Sequence, residues 1–498
     1  MTPTLRTRVR DVCACALLGF ALRAVVVLWA GDRVPPAADG TFYHTVATRI
    51  AAGLGYTWLW PDGAVTYAAH YPIGYPALLG AAYRLLGAEP SVAMWLNAAL
   101  GVVGIVVVHA LSWHTAVGVG LAERARTAGN MGALLVAVSP TLLGYTPALM
   151  TEGAVGVFVA SAVWAGLRAS LASGAPRRWG WLGITGLLMG AATLLRPQSL
   201  LLGPVLGALA WWSSGCDRLG DKLRGMVAGA VVLSVSLGVC LPWTLRNCQR
   251  MEHCVFVSAN GGWNLLIGTF PEGHGAFVPI DGSRVPVECR EVFQEAEKDI
   301  CFGTAGRARI AQNVWGWLRL APAKLRVTFE HNAAAAEYLG NAGVLEASAK
   351  WRLGAVEVIS QRLGFLLVLL GVLRPDRRLA EGRRWAWVVA GLGLLFLGAG
   401  AHLAWLGLLV GASSRALLPL LRARRVPQIE SRRQPIVQRA QPYVVQAALA
   451  LLALTFLIHG VFFGAGRYTL PLLFLFAPLS ALGWAWLPRT FDRSKPAG

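Results

Sequence analysis

The feature that most constrains this chain is a succession of apolar stretches, each about 18–25 residues long and nearly free of charge. The first contains "ACALLGFALRAVVVLWA", ending at Ala30. In hydrocarbon every backbone N–H and C=O must be paired within the protein, so segments of this kind cross a membrane only as helices or as a closed barrel. The runs lack the period-2 alternation of barrel strands. An all-α polytopic membrane protein is therefore expected. Composition points the same way, with 55% hydrophobic and 14% charged residues among 498, a balance foreign to soluble domains.

Spans are expected at 11–30, 92–113, 131–149, 152–171, 180–195, 199–214, 225–245, 355–373, 385–400, 402–420, 443–463 and 468–487. Basic clusters fix their sense. Arg6, Arg8 and Arg10, then Arg124 and Arg126, Arg177 and Arg178, Lys222 and Arg224, the 374–384 stretch and the 421–439 stretch all fall on one side if 385–420 forms a hairpin of two short helices. The positive-inside rule makes that side cytoplasmic, giving about twelve spans with both termini inside. The formal charge of +20 then reflects topology, and nucleic acid is not an expected partner. The first run reads as an uncleaved helix rather than a signal peptide. Arg23 within it is expected to snorkel or to pair inside the bundle. A bacterial plasma (inner) membrane is the expected location, the chain being rich in Arg and Ala without a retention signal.

The chain thus divides into a transmembrane module over 1–245 with an outer loop at 31–91, an extracytoplasmic segment over 246–354, and a second transmembrane module over 355–498. Within the first loop, "TFYHTVATRIAAGLGYTW" and "YPALLGAAYRLLG" carry apolar faces at helical spacing, as helices lying at a membrane interface do. The second segment, of mixed charge, is large enough for a small folded cap. It also contains Cys248, Cys254, Cys289 and Cys301, which could form two bridges in any of three connectivities in an oxidising compartment. Local pairing, Cys248 with Cys254 and Cys289 with Cys301, is expected. The spacings do not match zinc ribbons or fingers, so no metal site is expected. Cys13, Cys15 and Cys240 read as buried small hydrophobes.

Few polar residues stand at outer helix ends. Asp39, in "PPAADGTFYH", fits an N-cap for a helix starting near Thr41, and capping does not preclude catalysis. Glu152 sits at the outer mouth of the hairpin between the third and fourth spans. The topology brings both acids to one rim, as a general base and an orienting partner would require; Asp39 is expected as the base and Glu152 as a helper that binds acceptor or sugar. Arg196 in "LLRPQS", Arg246 in "LPWTLRN" and Arg467 in "GAGRYTLPLL" face the same side. Guanidinium forks suit phosphate oxygens, and an anionic ligand at the outer leaflet would account for three of them beside carboxylates. Tyr468, next to Arg467, belongs with this binding set. The Gly- and Asn-rich "SANGGWNLLIGT" reads as a tight outer turn with Asn260, Trp263 and Asn264 as sugar contacts. Tyr43 and His44 line the first helix of the outer loop, either of them able to face a cavity, while His70 and His274 read as structural.

In order along the chain, "PPAADGTFYHTVATRIAAGLGYTW", "HYPIGYPALLGAAYRLLG", the Glu152 hairpin, "LLRPQS", "LPWTLRN", "VFVSANGGWNLLIGT" and "GRYTLPLLFLFAPL" resemble the GT-C fold glycosyltransferases. Within them the resemblance is to the branch of protein O-mannosyltransferases and lipid A aminoarabinose transferases. It implies a membrane enzyme that moves one sugar, with inversion, from a polyprenyl-phosphate carrier to an extracytoplasmic glycan, lipid or protein. It further implies an essential acid at Asp39, a second acid at Glu152 and a phosphate-holding Arg467. Arginines alone can neutralise a monophosphate leaving group, so no cofactor or metal is expected beyond the lipid-linked donor. Two positions depart from the family pattern: Gly40 follows Asp39 where relatives carry paired acids, and His70 precedes "YP" where relatives carry a charge or a Pro. The rival from another class is a transporter or lipid flippase, which would place ionisable groups near the bilayer midplane. A catalytically dead scaffold of the same fold is a third possibility.

Overall fold

The structure is a computed structural model that describes residues 3–213, 219–330, 332–372, 393, 400–422 and 441–491. The expected span at 385–400, the 374–384 cluster and most of the 421–439 cluster lie outside the described residues. The described chain is helical apart from one two-stranded hairpin. Seven of its helices are long and apolar enough to cross a membrane. In chain order the helices are α1 (Pro3–Ala30), α2 (Asp39–Ala51), α3 (Gly74–Leu86), α4 (Pro90–Gly118), α5 (Ala125–Ala137), α6 (Pro140–Gly144), α7 (Thr151–Leu171), α8 (Ala175–Leu195), α9 (Leu202–Trp212) and α10 (Leu219–Arg250). Then follow α11 (Gly261–Ile267), α12 (Glu295–Gln312), α13 (Val314–Glu330), α14 (Ala334–Asn341), α15 (Ala347–Val372), α16 (Ala401–Arg422), α17 (Gln441–Val461) and α18 (Leu470–Phe491).

One apolar core runs through α1, α4, α5, α7–α10, α15, α17 and α18. Small residues let these helices approach closely. Gly104 of α4 and Gly156 of α7 both lie against the Phe474 ring, so a Cβ at either would collide with it at 2.5 Å. That contact seats α18, and with it the turn carrying Arg467, against the helix carrying Glu152. Cys15 and Cys240 are buried as expected, but Cys13 is exposed. It lies one turn before exposed Leu17, on the outward stripe of α1.

The expected continuous span at 131–149 is broken. Pro140 has no N–H to donate, so α5 stops at Ala137, and Ser139 caps α6 by accepting from the Leu142 amide at 3.4 Å. Polar side chains of α1 and α4 take up carbonyls around the break, as hydrocarbon requires. Arg23 donates to the carbonyls of Val136 (3.1 Å) and Ala137 (3.3 Å), and Asn97 to those of Thr146 (3.1 Å) and Ala148 (2.8 Å). Arg23 therefore pairs inside the bundle. The broken helix delivers Leu149–Thr151 in a short connection to the start of α7.

In the first outer loop, α2 ends where Gly53 (φ +77°) and Gly55 (φ +73°) take left-handed conformations that other residues adopt at a cost. Thr57 and Trp58, at the end of the stretch expected as helix, instead begin an antiparallel pair of β1 (Thr57–Leu59) and β2 (Val65–Tyr67), with Trp58 opposite Thr66. The second outer segment has its own small core of Leu266, Phe270, Val278, Cys289, Phe302 and Ala305. Disulfides join Cys248 to Cys254 and Cys289 to Cys301. A seam of Ala69, Met251, Ala259 and Ala296 presses it onto the first loop.

Candidate active site

Asp39 is the first residue of α2 rather than its cap. The N-cap is Ala38, at φ 50°, and it makes no side-chain capping bond. The Asp39 carboxylate is thus free for other partners: Oδ1 accepts from the Tyr71 hydroxyl at 2.9 Å and Oδ2 from Arg467 Nη2 at 3.1 Å. Arg467 stands 428 residues away in sequence, in the short turn Gly466–Thr469 before α18. Its Nε lies 3.3 Å from Glu152 Oε1. One guanidinium therefore joins the two acids.

Glu152, in the first turn of α7, has a side chain of zero exposure. Three groups surround it: Arg196 Nη2 pairs with Oε1, Arg467 Nε faces the same oxygen, and the Tyr145 hydroxyl donates to Oε2 at 3.1 Å. An unpaired buried carboxylate would be costly, and two guanidiniums with a hydroxyl remove that cost. Arg196 is further fixed by its Nε bond to Thr151 Oγ1 at 2.9 Å. Tyr468 lies under both cations, 5.0 Å from Arg196 Cζ and 5.4 Å from Arg467 Cζ, and stacks on His459 at 4.2 Å. Asp39 keeps a quarter of its side chain exposed (25%) and Arg467 27%. The exposed rim of the cluster is Asp39 with Arg467, and Glu152 lies behind it.

Two residues that the sequence did not single out set this geometry. Tyr338, on α14, accepts at its hydroxyl from the amides of Ala37 (3.3 Å) and Leu149 (3.2 Å). It thereby ties the entry to Asp39 to the entry to Glu152. The same crowding explains Gly40, where a Cβ would stand 3.0 Å from both the Leu149 carbonyl and the Tyr338 hydroxyl. A second acid beside Asp39 would have to push these neighbours aside. Tyr71 is the other, and burial together with the Asp39 charge raises its hydroxyl pKa, keeping it a donor.

The remaining candidates lie apart from the acids. His44 Nδ1 is 2.8 Å from the Tyr83 hydroxyl on α3. Tyr43 is buried with its ring edge-on to Tyr71 and Tyr75. Arg246 donates to the carbonyls of Ala68 and Tyr56, each at 2.8 Å; its guanidinium braces the first loop. Asn260 accepts from Ser258 Oγ at 3.1 Å. Asn264 sits within α11, and Trp263 packs on Phe302 and on His70. His70 touches Tyr71 in turn, 4.7 Å between ring centres, so the Trp263 turn borders the site through two rings. Burial pushes the His70 imidazole down to about 4, which keeps it neutral at pH 7. Among the described residues no group of three or more His, Cys, Asp or Glu could hold a metal ion.

An apolar cavity of about 170 Å³ opens between α5, α15, α16 and α18. Val138, Leu142, Phe365, Trp405 and Phe476 line it, and it reaches Thr469, two residues from Arg467.

No family model matches the sequence, and no curated protein matches it. Among solved structures, the chain is similar to the oligosaccharyltransferase of Archaeoglobus fulgidus in its apo form, at 14% identity and a TM-score of 0.49, over 98% of this chain and 53% of that one. For the complex of the same enzyme with Zn and sulfate the figures are 16% identity, a TM-score of 0.40, and 95% and 52% coverage. A third similar structure is ArnT from Cupriavidus metallidurans bound to undecaprenyl phosphate, at 15% identity and a TM-score of 0.38, over 95% of this chain and 77% of that one. The chain spans about half the length of the archaeal enzyme. Overlap of this extent assigns no activity.

Proposed function

We propose that the chain is an inverting glycosyltransferase of the plasma membrane. It moves a sugar from a polyprenyl-phosphate donor to an acceptor on the extracytoplasmic face. The observation that carries this reading is the Arg467 guanidinium joined to Asp39 and Glu152 at 3.1 and 3.3 Å, with an apolar cavity reaching Thr469, two residues further along the chain. A headgroup carrying phosphate and sugar needs cations and a base, while its isoprenoid tail needs an apolar groove. The sequence blocks that resemble GT-C enzymes support the same chemistry.

On this reading the acceptor hydroxyl attacks the anomeric carbon while Asp39 takes its proton. The bond from that carbon to the phosphate oxygen breaks, and its electron pair leaves on the phosphate. A carboxylate has about four lone-pair sites, and the Asp39 bonds to Tyr71 and Arg467 use two of them, so a hydroxyl can still be received. Arg467, backed by Arg196, stabilises the charge developing on the phosphate. Glu152 is buried, and its role is to hold the two guanidiniums in register.

The test is transfer by the purified chain in proteoliposomes, from a labelled polyprenyl-phosphate sugar to acceptor lipids, glycans or peptides. Labelled product of inverted anomeric configuration is expected, with full activity after chelation of divalent cations. Movement of the labelled lipid across the bilayer without transfer would establish the flippase reading instead.

A further inference from the structure

Segment 68–71 of the first outer loop has no regular secondary structure, yet it sets Tyr71 against Asp39 to within hydrogen-bond distance. Within the first loop, the Tyr56 carbonyl accepts from the Ala68 amide at 3.3 Å and the Tyr56 hydroxyl donates to the Tyr71 carbonyl at 2.7 Å; the other backbone bonds of the segment come from the second outer segment and its approach. Arg246 Nη1 donates to the Ala68 carbonyl at 2.8 Å, and the Ala259 amide donates to the Ala69 carbonyl at 2.7 Å. Glu295 Oε2 accepts from the amides of both Ala69 (2.5 Å) and His70 (2.8 Å). A single carboxylate oxygen thus fixes two consecutive peptide units immediately before Tyr71. Charge-assisted bonds of this kind are about twice as strong as neutral ones.

Glu295 opens α12 and lies between Cys289 and Cys301, which are joined to each other. The loop that presents it is therefore covalently closed. Next to it, Ala296 is wholly buried in the seam with Ala69, so the carboxylate reaches its targets from a fixed base. Nothing in the proposed reaction uses Glu295, and it touches neither acid nor arginine of the site.

We propose that Glu295 is a positioning residue for the Asp39–Tyr71 pair, acting from the disulfide-closed loop of the outer segment through the Ala69 and His70 amides. This rests on the transferase reading above. Without the carboxylate, the segment before Tyr71 loses two of its tethers, and the hydroxyl no longer stays on Asp39 Oδ1. Misplacement of a group at a reacting centre by about 1 Å costs on the order of 10²-fold in rate. The effect belongs to kcat, because the donor phosphate and tail are held by other elements.

The test compares Glu295→Ala and Glu295→Gln with wild type in nanodiscs. In Glu295→Ala, amide hydrogen exchange in peptides spanning 68–71 should accelerate, with kcat about 10²-fold lower and donor KM within twofold of wild type. Glu295→Gln retains an oxygen that can accept both amides and should restore most of kcat, an outcome that a general packing defect would not produce. Groups acting as one unit are not additive, so Glu295→Ala combined with Tyr71→Phe should lose no more than Tyr71→Phe alone. Replacing Cys289 and Cys301 by Ser should reproduce the Glu295→Ala pattern in weaker form. Wild-type exchange at 68–71 in Glu295→Ala, or a wild-type kcat, overturns the proposal. A wild-type chain that transfers no sugar overturns the functional reading instead, with the exchange comparison still deciding whether Glu295 holds this segment.

Discussion

Asp39→Asn should bind its donor as wild type does and turn it over about 10²- to 10⁴-fold more slowly, the range that a positioned general base contributes. The substitution keeps size and position. The single amide oxygen of Asn can accept from the Tyr71 hydroxyl or from Arg467 but not from both, because these donors meet different oxygens of Asp39; Glu152 still holds Arg467 and Arg196, so the phosphate-binding pair stays assembled. What Asn cannot do is take a proton from an acceptor hydroxyl. Measured by single-turnover transfer, the loss should appear in the chemical step alone. A turnover within twofold of wild type would remove Asp39 from the mechanism and with it the proposed reaction.

The second large effect belongs to Arg467. Replacement by Lys preserves charge but not the fork, and an ammonium acts as a point charge where a guanidinium offers separated donors in one plane. Arg467 reaches Asp39 through Nη2 and Glu152 through Nε, a span that one Lys Nζ cannot reproduce. Glu152 would keep Arg196 and Tyr145, so the protein should still fold. The stabilisation of the departing phosphate should not survive, and kcat should fall by about 10²- to 10³-fold, as when one preorganised donor is removed from a developing anion. Donor KM should rise as well, because the same fork meets the ground-state phosphate. Arg467→Ala should add a stability loss, since a buried acid then keeps a weaker set of partners. Thermal unfolding in detergent separates that contribution from catalysis.

Sequence patterning made the helical architecture legible because hydrophobic length is a local property. The break at Pro140 and the Gly53–Gly55 stop were present in the sequence as well. An apolar run reads as continuous, however, unless the polar groups that repair it, here Arg23 and Asn97, are recognised as its partners. At the site, Asp39, Glu152, Arg196, Arg467 and Tyr468 could be gathered from topology alone, because each stands beside a helix end on one side. Arg246 met the same criterion, yet its donors are taken by the carbonyls of Ala68 and Tyr56. Nothing local distinguishes an arginine that braces a loop from one that faces a cavity. Tyr71, Tyr145, Tyr338 and Glu295 carry no local signal of their role. Tyr71, Tyr338 and Glu295 matter through partners far along the chain, as Tyr338 does through amides 301 and 189 residues away, whereas Tyr145 meets Glu152 seven residues on, across a break in the helix.

The measurement that bears most directly on the account is a cryo-electron-microscopy map of the chain in nanodiscs with polyprenyl phosphate bound. Expected are a phosphate within about 3 Å of the Arg467 guanidinium, Asp39 on its open side, and isoprenoid density in the cavity lined by Leu142, Phe365 and Trp405. A phosphate bound elsewhere, with Arg467 still closed on Asp39 and Glu152 and the cavity empty, would contradict it.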